Sequence, residues 1–345
     1  MIVVFLYFLT TSVLTSADSH SYLYPSFLSQ STFSPSDKSQ FQSPKCQSND
    51  SGNFIDFPTD EKVHSKLTEW WYLLAHVFTE DGAHYQGQLV LEKLSTGDIP
   101  TLNNNFILYS PEKNHYLTTS EFNETEEIDG KFHFKFDESE SYNYEGGYYM
   151  NATVDEYTMS VDFTPVKSLM LGYEVGRKDY HFGGYIYYYI FPRTEVSGTL
   201  KIGDKIHQVT GYGYYEHAYG RIETLFKAGW DWFQMNLEDG TDIIIAMIRL
   251  GQYYLWVNDH ECNITYYSRN QFKLVVLRTW LSPRTSCQYA TAWKLTFDDK
   301  EYIIETIRDD MEFLEKRGVK FAAALKISGS STGRGAMENM GICQN

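Results

Sequence analysis

Positive charge is in short supply in this chain. Its 29 Lys and Arg stand against 45 Asp and Glu, a formal net charge of −16. A nucleic-acid backbone or an anionic lipid surface would be repelled, so neither is an expected partner. Long apolar runs are scarce too. After the N-terminal residues no stretch is long and apolar enough to make a membrane span. Proline is rare, at 9. The one Gly-x-Ser-x-Gly, Gly329-Ser330-Ser331-Thr332-Gly333, lacks the strand-to-helix setting of a nucleophile elbow. The run Gly329-Ser330-Ser331-Thr332-Gly333-Arg334-Gly335 lacks the Lys and the strand-to-helix setting of a phosphate loop and reads as a turn. His76 with His84, and His260 with Glu261, find no third ligand, and no cysteine spacing suits zinc. Neither a metal nor a cofactor is expected.

What is present first is an apolar run, Met1 to Leu14, followed by the small residues Thr15-Ser16-Ala17. It reads as a signal peptide over residues 1–17, although its start carries no Lys or Arg. Residues 18–60, rich in Ser, Gln, Pro, Asp and Asn, read as a flexible lead-in. Four glycosylation acceptors, Asn49, Asn123, Asn151 and Asn263, agree with export to a secreted, extracellular location. So does the even set Cys46, Cys262, Cys287 and Cys343, from which two disulfides are expected in one of three connectivities.

The 28 Tyr, 22 Phe and 7 Trp favour strands, where a flat side chain packs on a half-buried pleat. Gly203-Asp204, Asp239-Gly240 and Asp298-Asp299 each separate two short apolar runs, as hairpin turns do. The spacing predicts one helix, over Thr306 to Arg317. The unit Glu69-Trp70-Trp71-Tyr72, strand, Asp81-Gly82, strand returns as Asp231-Trp232-Phe233-Gln234, strand, Asp239-Gly240, strand. The expected architecture is therefore all-β, with few short helices and two similar units. These are placed at 61–195 and 196–345, with the boundary between Arg193 and Gly198.

The densest chemistry lies in Gly211-Tyr212-Gly213-Tyr214-Tyr215-Glu216-His217-Ala218-Tyr219-Gly220. A carboxylate beside an imidazole, ringed by phenols, is material for acid–base work. Along a strand Glu216 and His217 face opposite sides, so only one would enter a cavity unless a bulge intervenes. Glu69 and Asp231 each precede an indole, and such packing can raise a carboxyl pKa by desolvation. For both the blander role is a hydrogen bond to a neighbouring strand.

Three blocks carry a resemblance. They are Glu69-Trp70-Trp71-Tyr72; Val209-Thr210-Gly211 leading to Glu216-His217-Ala218-Tyr219-Gly220; and Ala228-Gly229-Trp230-Asp231-Trp232-Phe233. Together they resemble the signature blocks of the carotenoid hydratase (hydroxyneurosporene synthase) and AttH-like proteins, over most of the chain from about Glu61 onward. The segment from Gly333 to Asn339 resembles that family's closing Gly-x-Gly-aromatic-x-Glu. Fungal isoflavonoid hydratases and lipocalin-like pericyclases look like relatives. The resemblance implies two lipocalin-like β-barrels in tandem, a cavity between or within them, and cofactor-free chemistry on an apolar unsaturated small molecule. It also implies that Glu216 protonates a double bond, in the place of the family's Asp. His217 matches the block's His, and Tyr219 its closing aromatic. The longer side chain at Glu216, and Ala336 in an aromatic's place, bear on the substrate more than on the fold.

The expected function is a hydratase, cyclase or isomerase of the lyase or isomerase class, acting on a terpenoid, polyene or phenolic. Glu216 is its acid, and His217 and Tyr214 orient that acid or the water. Trp70, Tyr219 and Trp232 wall the cavity, with Glu69 and Asp231 beside it. The alternative is a secreted lipocalin-like carrier of an apolar small molecule.

Overall fold

The computed structural model describes residues 54–95, 100–122, 127–315 and 318–341. The signal peptide, most of the lead-in, Asn49, Asn123, Cys46 and Cys343 lie outside them. The described chain is nearly all β, in two curled sheets. The first holds β1 (Thr68–Phe78), β2 (His84–Leu94), β3 (Thr101–Tyr109), β4 (Asn114–Phe122), β5 (His133–Lys135) and β6 (Ser139–Tyr144). It continues through β7 (Gly147–Val154), β8 (Tyr157–Pro165), β9 (Met170–Leu171), β10 (Arg177–Asp179), β11 (Tyr185–Ile202) and β12 (Lys205–Arg221). A short helix, α1 (Glu223–Ala228), leads to the second sheet. That sheet holds β13 (Trp230–Leu237), β14 (Asp242–Ile248), β15 (Gln252–Asn258), β16 (Ile264–Ser268) and β17 (Phe272–Leu281). Then follow β18 (Gln288–Phe297), β19 (Lys300–Thr306), β20 (Glu312–Glu315), β21 (Gly318–Gly329) and β22 (Gly333–Met340).

Each sheet closes the same way. The last strand returns to pair with the first, β12 on β1 and β22 on β13, with meanders to either side. The hairpins at Gly203-Asp204 and Asp298-Asp299 stand where the turn residues place them. Two expectations are corrected. The boundary lies at α1, not between Arg193 and Gly198, because β11 pairs with β12 through Gly203-Asp204 and both stay in the first sheet. The helix expected over Thr306 to Arg317 is absent among the described residues. β19 ends at Thr306 and, after a turn, β20 pairs with β21. Ile307 donates its backbone N–H to Ala324, and Met311 is buried in the second core. Pairing with β21 thus overrides a local pattern that suited a helix.

The repeat is real but its register differs from the sequence reading by two residues. Tyr72 lies opposite Glu216 on the β1–β12 pair, and Trp232 lies opposite Glu338 on β13–β22. Trp70 therefore corresponds to Trp230, and Gly211-x-Gly213-x-x-Glu216 to Gly333-x-Gly335-x-x-Glu338. The match extends to backbone contact. A Cβ at Gly213 would stand 2.2 Å from the Leu74 carbonyl oxygen, and one at Gly335 2.1 Å from that of Gln234. No side chain fits either place.

Besides a small cluster of Ile107, Phe313 and Ala322, three larger apolar clusters follow. Trp71, Leu73, Ala75, Val161 and Phe163 fill the first barrel, and Phe233, Met235, Trp293, Leu295 and Leu325 the second. The third joins the two, with Tyr72, Leu74, Tyr188 and Tyr214 against Trp232, Ile244, Ala246 and Trp256. A buried ion cluster reinforces this seam. Asp242 takes Arg193 Nη2 at 2.8 Å and Lys167 Nζ at 2.9 Å, all three side chains fully buried.

Candidate active site

Strand alternation sorts the chemistry onto two faces. On β12, Tyr214, Glu216 and Ala218 face the seam between the barrels, whereas Tyr215, His217 and Tyr219 face the first barrel's interior. On β1 the same split separates Trp70 and Tyr72 from Glu69 and Trp71. On β11 it separates Tyr188 from Tyr189.

The seam opens into a cavity whose space, counted out to its mouth, is about 710 Å³. Trp70, Tyr72, Tyr188, Phe226, Trp230 and Trp232 make most of its aromatic wall, and α1 contributes Leu225 and Phe226. The Trp70 and Trp230 rings lie parallel within 12°, centroids 6.4 Å apart. Glu216 sits in this wall. Its Oε1 accepts from Trp70 Nε1 at 2.8 Å, and its Oε2 accepts from the phenols of Tyr188 and Tyr214. Burial pushes its carboxyl up to about 7, against the pull of those three donors. Burial, together with the Glu216 carboxyl, raises both phenols well above their ordinary value, so they remain donors. The result is a carboxyl group inside an aromatic cavity that gives up its proton only around pH 7.

Inside the first barrel a different network forms. Glu69, fully buried, meets His64 Nδ1 at 3.0 Å, Lys93 Nζ at 3.1 Å and His217 Nε2 at 3.4 Å. Burial raises its carboxyl, but hydrogen bonds from His217 and His64 and the Lys93 charge outweigh this and hold it below the ordinary value. Burial drives His217 down to about 4 despite Glu69, so the ring is neutral at pH 7. His217 also bonds Tyr189 through Nδ1 at 2.8 Å and stacks on Trp71 at 4.4 Å. Nearby, Glu61 meets the phenols of Tyr148 at 2.7 Å and Tyr215 at 2.6 Å, and burial pushes it up to about 7.

Of the residues picked from sequence, Glu216, Tyr214, Trp70, Trp232 and Asp231 come together at the cavity, Tyr214 through its bond to Glu216. Asp231 stands at its edge, bonded by Asn339 and raised by burial. His217, Tyr219 and Glu69 do not line the cavity and belong to the first barrel's interior. There Tyr219 stacks on His64 at 3.8 Å. The reason is parity: no bulge shifts β12 at Glu216-His217 in its pairing with β1. Sequence reasoning passed over Tyr188, Trp230, Glu338 and Glu61. Tyr188 sits in the run Tyr187-Tyr188-Tyr189, whose alternation could have marked one phenol for each face.

Among the described residues, the ligand atoms of His64, Glu69 and His217 lie within 4.8 Å of one another, as do those of His115, Asp155 and Glu156. The first group fits a metal poorly. His64, Glu69 and His217 already bond to one another, and Lys93 and Tyr189 take their remaining positions. The second is built largely on exposed acids.

The fold has solved counterparts. An AttH protein of Nitrosomonas europaea superposes with a TM-score of 0.75 at 24% identity, covering 84% of this chain and 97% of its own. Kievitone hydratase of Nectria haematococca superposes with a TM-score of 0.65 at 12% identity, covering 79% of this chain and 88% of its own. No curated protein matches the chain. The AttH-like family model matches residues 111–342, which include β12 and the closing Gly-x-Gly-x-x-Glu strand but not β1 and β2. The chain belongs to the AttH-like family.

Proposed function

We propose that this protein is a secreted, cofactor-independent enzyme that protonates an apolar unsaturated small molecule and completes its hydration, cyclisation or isomerisation. One observation carries the reading. Glu216 is a buried carboxyl, protonated near neutrality and facing an aromatic cavity through strand β12. Protonating an alkene requires an acid kept from bulk water and a way to hold the carbocation. Desolvated Trp and Tyr faces stabilise a cation by roughly 1–2 kcal/mol each. A terpenoid, polyene or phenolic suits the cavity's apolar lining, and the same fold houses a hydratase in Nectria haematococca. Export is supported by the exposed sequon at Asn263 and by the absence of a free thiol at Cys262 and Cys287. Asn151 is half-buried within strand β7, which leaves it the poorer acceptor.

The test is Glu216→Gln, assayed on a panel of terpenoid alkenes and prenylated phenols in isotopically labelled water. The substitution keeps the shape and removes the titratable proton. Turnover should fall at least about a hundredfold, the scale of a general acid. A ligand bound equally by both proteins, with turnover in neither, would support the carrier instead.

A further inference from the structure

The structural repeat places two Trp–Glu pairs on one cavity. On the β1–β12 pair the Trp70 indole donates to Glu216 at 2.8 Å. On β13–β22 the Trp230 indole donates to Glu338 at 3.4 Å. Each indole stands two residues before the position opposite its acid, each acid ends a Gly-x-Gly-x-x-Glu run, and both acids line the cavity. What differs is the charge around them. Glu216 is 6% exposed and is met by three neutral donors. The Glu338 side chain is 23% exposed and carries the Lys320 ammonium at 2.5 Å. Two carboxyl groups on one site in unlike surroundings can divide acid work from base work.

Resting on the acid-initiated reading above, we propose that Glu338 is the cavity's second catalytic carboxylate, the anion that steadies the cation and takes the proton from the water that adds. Glu216 gives its proton to one alkene carbon. The π electrons form the new C–H bond and leave the positive charge on the neighbouring carbon. The water oxygen forms the C–O bond there, and its surplus proton passes to Glu338. Water is thus added across the double bond. Glu216 ends ionised and Glu338 protonated, and exchange with solvent at the open mouth restores both.

The assay uses the intact protein and needs no knowledge of the substrate. N,N-dimethylgeranylamine is cationic at neutral pH and imitates the carbocation. The hydrocarbon with CH in place of its nitrogen is the neutral control. Wild-type protein should bind the amine at least about tenfold more tightly than the hydrocarbon. Glu338→Gln should abolish that preference with little change for the hydrocarbon, and Glu338→Asp should retain most of it. Glu216→Gln should keep it, because Glu216 is the neutral partner. The proposal is overturned if the wild-type protein shows no preference for the amine. It is also overturned if the preference survives in Glu338→Gln, which would place the charge on Glu92 or Asp231. Full turnover in Glu216→Gln would instead sink the acid-initiated reading, an outcome this binding assay does not share.

Discussion

Replacing Glu61 by Gln should leave the protein's stability nearly unchanged at pH 5 and raise it at pH 8. Glu61 is buried in the first barrel between the phenols of Tyr148 and Tyr215, and burial lifts its carboxyl from 4.5 to about 7. Because the folded-state value is the raised one, the native protein holds this proton more tightly than the unfolded chain does. The stability it contributes is full below about 4.5 and is lost as pH rises through about 7. At roughly 1.4 kcal/mol per pKa unit, the loss approaches about 3 kcal/mol. Glutamine imitates the neutral acid, with one acceptor and one donor for the two phenols, but has nothing to ionise. Urea unfolding of both proteins at pH 5 and pH 8 gives the measurement. The difference between variant and wild type should grow by about 1–3 kcal/mol from the lower pH to the higher. An equal difference at both pH values would refute the reasoning, because Glu61 would then bind its proton no more tightly when folded.

The same logic with a different sign applies to Trp70→Phe. It removes the 2.8 Å indole donor that favours the Glu216 anion, so the apparent pKa of Glu216 should rise by about one unit, read from the carboxyl infrared band. An unchanged or lower midpoint would count against the assigned bond. Secreted material treated with an amidase specific for N-glycans should lose mass at Asn263. An unmodified Asn263 in protein recovered from the medium would remove one support for export.

Much of the fold was legible in the sequence because turns and strands are coded locally. Gly203-Asp204 and Asp298-Asp299 carry their own hairpin chemistry, and the aromatic content suits pleated strands. Glu216 could be singled out because its whole block is contiguous. The partners of that acid could not. Tyr188 comes from β11 and Trp70 from β1, 146 positions away in sequence. Nor was the face legible. Residues 213–220 of β12 are all buried, so the polar-out alternation that would have set His217 and Tyr219 apart from Glu216 is missing. Only the packing of one barrel on the other turned one side of that strand into a cavity wall. The same packing moved the boundary to α1 and showed Trp70 to correspond to Trp230, because register is set by long-range strand pairing and not by the residues of either strand alone.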